Sequence, residues 1–63
     1  MILKELARVF DGSTILYIKN EYEETRDKKC AKFIEKSNYA DREVVLANST
    51  QAGILNVWVK EFV

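Results

Sequence analysis

Ile54-Leu55-Asn56-Val57-Trp58-Val59-Lys60-Glu61-Phe62-Val63 carries apolar side chains on both faces of a strand. Read with a period of two, one face holds Leu55, Val57, Val59 and Val63, and the other holds Ile54, Trp58 and Phe62. A half-buried strand needs only one apolar face, so this one asks for cover on both sides. With 63 residues the chain has little material for two covering layers. The expected outcome is association: Ile54, Trp58 and Phe62, joined by Tyr17, form a candidate protein interface.

Working outward, Glu43-Val44-Val45-Leu46-Ala47 reads as a strand, and the polar stretch 48–53 with Gly53 links it to the last strand as a hairpin. Ile15-Leu16-Tyr17-Ile18, β-branched and aromatic, predicts another strand ending near Asn20. Tyr22 to Arg26 could pair back on it as a polar edge or remain a loop. Ile2, Leu3, Leu6, Val9 and Phe10 recur at helical spacing, which predicts a helix of about two turns. Gly12 would close it in a left-handed conformation. Asp27 suits the N-cap of a second helix that carries Cys30, Phe33 and Ile34 inward and stops near Ser37-Asn38. The expected fold is α+β, one small domain over residues 1–63. It has a mainly antiparallel sheet of three to four strands, with two short helices packed on one face. Leu3, Leu6, Phe10, Leu16, Ile18, Phe33, Ile34, Leu46, Leu55, Val57 and Val59 form the expected core.

A chain of this size buries only about 60% of the surface its unfolded form exposes, and such domains lean on disulfides, metals or oligomerisation. Cys30 is the single cysteine, so no disulfide closes within one molecule, and the absence of histidine removes the commonest transition-metal ligand. Oligomerisation remains, and the expectation is a homodimer. Covering one Trp or Phe ring hides roughly 150 to 250 Å², several kcal/mol at about 25 cal/mol per Å².

Ten basic and ten acidic residues leave a formal net charge of zero, which argues against a DNA-coating or polybasic membrane role. Lys4, Glu5 and Arg8 interrupt the first ten residues where a signal peptide needs an apolar run. The apolar runs are far below the roughly 20 residues that cross a bilayer. The expectation is a soluble cytoplasmic protein with Met1 as its native start.

Three features invite chemistry. Cys30 lies beside Lys28 and Lys29 near a predicted helix start, but its spacing to Phe33 and Ile34 makes it a small core hydrophobe. Glu21, Glu23 and Glu24 lack the spaced ligands and turn glycine of a calcium loop and read as a solvated turn or edge. Lys29, Lys32 and Lys36 fall on one face of the predicted helix and form a candidate basic face, without the aromatic partners of a nucleic-acid platform. No catalytic, cofactor-binding or metal-ligating residue is assigned, and no cofactor is expected.

Leu3-Lys4-Glu5-Leu6, Thr14-Ile15-Leu16-Tyr17-Ile18, Tyr39-Ala40-Asp41-Arg42-Glu43-Val44 and Ile54-Leu55-Asn56-Val57-Trp58-Val59 together resemble short open reading frames of prophages and mobile elements in Gram-positive bacteria. Ending in Trp58 and Phe62 departs from the acidic last strand of that group. The resemblance implies a phage-associated setting in which small proteins work by binding host or phage proteins, and it carries no catalytic residues. The expected role is therefore a non-enzymatic interaction module that binds another protein and self-associates. An accessory nucleic-acid module using Lys29, Lys32 and Lys36 is the alternative.

Overall fold

The computed structural model describes residues 1–60, and Glu61, Phe62 and Val63 lie outside the described residues. Six elements follow one another: α1 (Leu3–Ala7), β1 (Ile15–Lys19), β2 (Thr25–Cys30), α2 (Ala31–Ile34), β3 (Val44–Gln51) and β4 (Ile54–Val59). The four strands form one mixed sheet in the order β2-β1-β4-β3. Hairpin pairing is antiparallel for β1 with β2 and for β3 with β4, whereas β1 and β4 run parallel at the centre. The expected sheet was mainly antiparallel. The parallel centre has a physical signature in β1 and β4, which carry apolar residues on both faces as central strands of parallel sheets do.

Both helices pack on one face of the sheet. Leu3 and Ala7 from α1, Ala31 and Ile34 from α2, Leu16 and Ile18 from β1, and Leu55, Val57 and Val59 from β4 make a single core cluster. Alternation along β4 is clean, with Leu55, Val57 and Val59 buried and Ile54, Asn56 and Trp58 half-buried. Phe10, Phe33 and Leu46, expected inside, are 39%, 57% and 54% exposed. Each helix is only about a turn long, so it turns a single i/i+3 or i/i+4 pair toward the sheet. Ala31 and Ile34 take those places in α2, which leaves Phe33 outside.

The helix expected from Asp27 begins only at Ala31. Thr25 to Cys30 instead pairs with β1, Lys28 opposite Tyr17 and Cys30 opposite Ile15. Cys30 thus ends a strand and precedes α2, half-buried, instead of filling a helical stripe in the core. Gly12 is not in the left-handed region, which among the described residues only Gly53 and Glu23 occupy. Its role is close approach: a Cβ on Gly12 would meet the Lys32 Cβ at 3.2 Å. The Lys32 N–H also donates to the Gly12 carbonyl at 3.2 Å, and the Ala31 N–H to that of Thr14 at 2.8 Å. These two bonds seat α2 against the loop before β1.

The start of the chain is tied to the start of β3. The Val44 N–H donates to the Met1 carbonyl at 2.8 Å, and the Leu3 N–H to that of Arg42 at 2.9 Å. Glu5 accepts from the Ile2 N–H at 3.1 Å and so satisfies one of the orphan donors at the entry to α1. Between β3 and β4 the turn is Ala52-Gly53, with Gly53 at φ 79°. Glycine adopts that conformation without the Cβ penalty of other residues. No described helix is long and apolar enough to cross a membrane.

Candidate functional site

The face of the sheet turned away from the helices is the candidate site, and it is assembled by register. Lys28, Tyr17, Asn56 and Asn48 lie in one row across β2, β1, β4 and β3. Lys19, Trp58 and Leu46 form the row on one side of it, and Cys30, Ile15, Ile54 and Gln51 the row on the other. Tyr17, Ile54 and Trp58 thus share one face, while Phe62 lies outside the described residues. Asn56 stands between Ile54 and Trp58 and donates to Asn48 Oδ1 at 3.4 Å. The apolar surface is therefore two patches separated by a polar row.

Among the described residues, this face is covered only by its own side chains. Lys19 Nζ lies 5.0 Å from the centre of the Trp58 ring, and Lys28 Nζ lies 4.9 Å from that of Tyr17. An ammonium over an aromatic ring is attracted by the ring quadrupole, and the lysine stem shields apolar area while its head stays in water. That arrangement relieves part of the exposure expected of Trp58 and Tyr17 and leaves them half-buried. Ile15 and Leu46 remain 38% and 54% exposed on the same face.

At one end the face opens into a cleft of about 380 Å³ lined by Trp58, Leu46, Val45 and Val59, with Glu21 and Glu23 on its rim. Both carboxylates come from the loop between β1 and β2, which Asn20 organises. Asn20 is 1% exposed. Its Oδ1 accepts from the N–H groups of Tyr22 at 2.9 Å and Glu24 at 3.0 Å, and its Nδ2 donates to Glu24 Oε1 at 2.8 Å. The loop holds Glu23 at φ 64°, a left-handed conformation that costs a non-glycine residue about 1 kcal/mol or more. The acidic triplet is thus a built turn with one member inside the hydrogen-bond network and two at the cleft.

The proposed basic face does not assemble on one helix. Lys29 belongs to β2, where its Nζ is 3.6 Å from Asp27 Oδ2, Lys32 belongs to α2, and Lys36 follows α2. The helical register that aligned them is absent because residues 25–30 are extended. Lys32 lies over Phe33 at 5.2 Å. On the helix side, Arg8 pairs with Glu35 through its Nε at 2.9 Å, and the guanidinium holds the Glu35 carboxyl below the ordinary glutamate value. Backbone and hydroxyl hydrogen bonds from Ser13 likewise hold Asp11 low.

Sequence reasoning missed the two lysines that matter for the open face, Lys19 and Lys28. The signal was available for Lys19, inside the predicted strand that ends near Asn20 and on the same parity as Tyr17. For Lys28 it was not, because a strand made of Thr-Arg-Asp-Lys-Lys-Cys has poor intrinsic β propensity. Among the described residues no group of three or more His, Cys, Asp or Glu gathers in a metal-holding arrangement. No family model, curated protein or solved structure matches this chain, and the site stands on its own geometry.

Proposed function

We propose that this chain is a small non-enzymatic interaction module that binds another protein through the open face of its sheet and also self-associates. The observation that supports this most is the pairing of half-buried Trp58 and Tyr17 with Lys19 and Lys28 on a face that neither helix covers. Tryptophan and tyrosine are among the anchors that dominate binding energy when a partner excludes water from them, and desolvation strengthens the attraction of a cation held over the ring. The matching partner surface has an apolar centre, carboxylates placed for Lys19 and Lys28, and a cationic group reaching Glu23 at the cleft. The resemblance to prophage open reading frames supports a host or phage protein as that partner, met in the bacterial cytoplasm.

A test is capture of partners by tagged protein, with Trp58→Lys and Tyr17→Lys as paired controls and an Asp41→Lys variant on the opposite side. A specific partner should be lost with either open-face change and kept with Asp41→Lys. Retention of all partners by both open-face variants would refute the assignment.

A nucleic-acid reading is favoured by one observation, the lysines beside the rings of Tyr17 and Trp58, because bases stack on such platforms. It would rest on Lys19 and Lys28 rather than on Lys29, Lys32 and Lys36. Zero net charge works against it. Oligonucleotide binding that survives about 150 mM salt and is lost with Lys19→Glu and Lys28→Glu would replace the protein reading.

A further inference from the structure

The two edges of the sheet differ in a way that bears on self-association. The β2 edge, Thr25-Arg26-Asp27-Lys28-Lys29-Cys30, carries four charged residues in six. The β3 edge, Val44-Val45-Leu46-Ala47-Asn48-Ser49-Thr50-Gln51, carries none in eight, and it has no proline. Charges and prolines are the usual guards of an exposed edge, because its unpaired N–H and C=O groups form a template for another strand. Only the first residue of β3 is capped on the outer side, where Val44 donates to Met1. Past that point, no described residue pairs with its outer backbone, and residues 45–51 are all exposed. Two register irregularities against β4, at Val44/Leu46 and Asn48/Gln51, twist the two ends of the strand as bulges at edges do, and they leave Leu46, Ala47 and Asn48 as its regular, uncharged stretch.

The geometry points to β3 as the edge on which a second copy of this chain pairs antiparallel, joining two four-stranded sheets into one of eight strands. It rests on the self-association proposed above and says where that association happens. A foreign strand bearing charges of either sign would find no counter-charge along β3, whereas a copy of β3 meets an uncharged strand of equal length. Two-fold pairing centred on Asn48 brings the two Asn48 residues side by side. A closed two-fold pairing consumes both free edges and stops at two copies. It leaves the Trp58 and Tyr17 faces of both copies pointing the same way and open, so self-association and partner binding do not compete.

Sedimentation equilibrium of the whole chain, wild type against Asn48→Lys, Asn48→Glu and Trp58→Lys, tests this. Wild type should move from 7.3 kDa toward twice that mass as concentration rises. Asn48→Lys and Asn48→Glu, each placing like charges across the axis, should weaken the dimer by about tenfold or more, and an equimolar mixture of the two should recover it. Trp58→Lys should leave the dimer intact. A wild type that stays monomeric at high concentration overturns the inference. So does a dimer that ignores both Asn48 variants and dissociates with Trp58→Lys; that result would mean face-to-face pairing and leave open-face binding standing. Should the Asn48 variants lose their circular dichroism, amide exchange of wild type decides. Slowing of residues 45–51, but not 25–30, with concentration is the expected result, and its absence refutes the edge dimer.

Discussion

Replacing Asn20 by alanine should be among the costliest single polar substitutions in this chain. The side chain makes three hydrogen bonds, two accepted from the Tyr22 and Glu24 backbone and one donated to Glu24. Each such bond contributes a net ~0.5–1.5 kcal/mol. Tyr22 and Glu24 are themselves exposed, so water rescues part of what is lost at their N–H groups. The sum is about 2–3 kcal/mol, against a total stability of roughly 3–9 kcal/mol for a chain of this length. At ~4–8 °C per kcal/mol, the thermal midpoint should fall by on the order of 10–20 °C. Asn20→Asp keeps both acceptor bonds, loses the donor and sets two carboxylates together, so its midpoint should lie between the two and approach wild type in acid. Thermal melts by circular dichroism read both. A drop of less than about 2 °C for Asn20→Ala would refute the claim that this side chain holds the β1–β2 turn, and with it the placement of Glu21 and Glu23 at the cleft.

Leu55→Ala or Val57→Ala should cost ~2–5 kcal/mol and bring the chain close to unfolding, whereas Leu46→Ala should stay within ~0.5 kcal/mol, by urea titration. Glu23→Gly relieves a left-handed residue and should raise the thermal midpoint by a few degrees, a gain of roughly 0.5–1 kcal/mol. Glu35 is held low by Arg8, so its contribution is present above the ordinary glutamate value and fades as pH falls through the lowered one. Glu35→Gln should therefore lower stability slightly at neutral pH, leave it unchanged in strong acid, and so flatten the acid limb of a stability–pH profile, by a small amount because the pair is solvent-exposed.

The α+β class, the strands near Ile15–Lys19 and Ile54–Val59, and the inward parity of Leu55, Val57 and Val59 were legible because period-two patterning is a local property of the chain. Residues 27–30 were not. Asp27-Lys28-Lys29-Cys30 reads as the start of a helix, yet it continues the strand that begins at Thr25, inside the stretch readable as a polar edge or a loop, because β1 offers an edge and Tyr17 a ring for the Lys28 ammonium. The parallel pairing of β1 with β4 joins residues nearly forty apart in the chain, with no local mark except apolarity on both faces of each strand. That same apolarity asks for cover on both faces, from the rest of the chain or from a second molecule. Central position and lysine cover answer part of it, and half-buried Trp58, Ile54 and Tyr17 are what is left. Phe10 and Phe33 went astray because the helical stripe was drawn over more turns than form.

Site-specific photo-crosslinking in living cells tests the open-face claim most directly. A benzophenone side chain at Tyr17 sits on the open face, and one at Lys36 sits on the helix side. Adducts with one defined protein from position 17, none from position 36, and their loss when Trp58→Lys is added are the expected result. Adducts that form at position 36 and not at 17, or that persist in full with Trp58→Lys, would contradict binding through the open face.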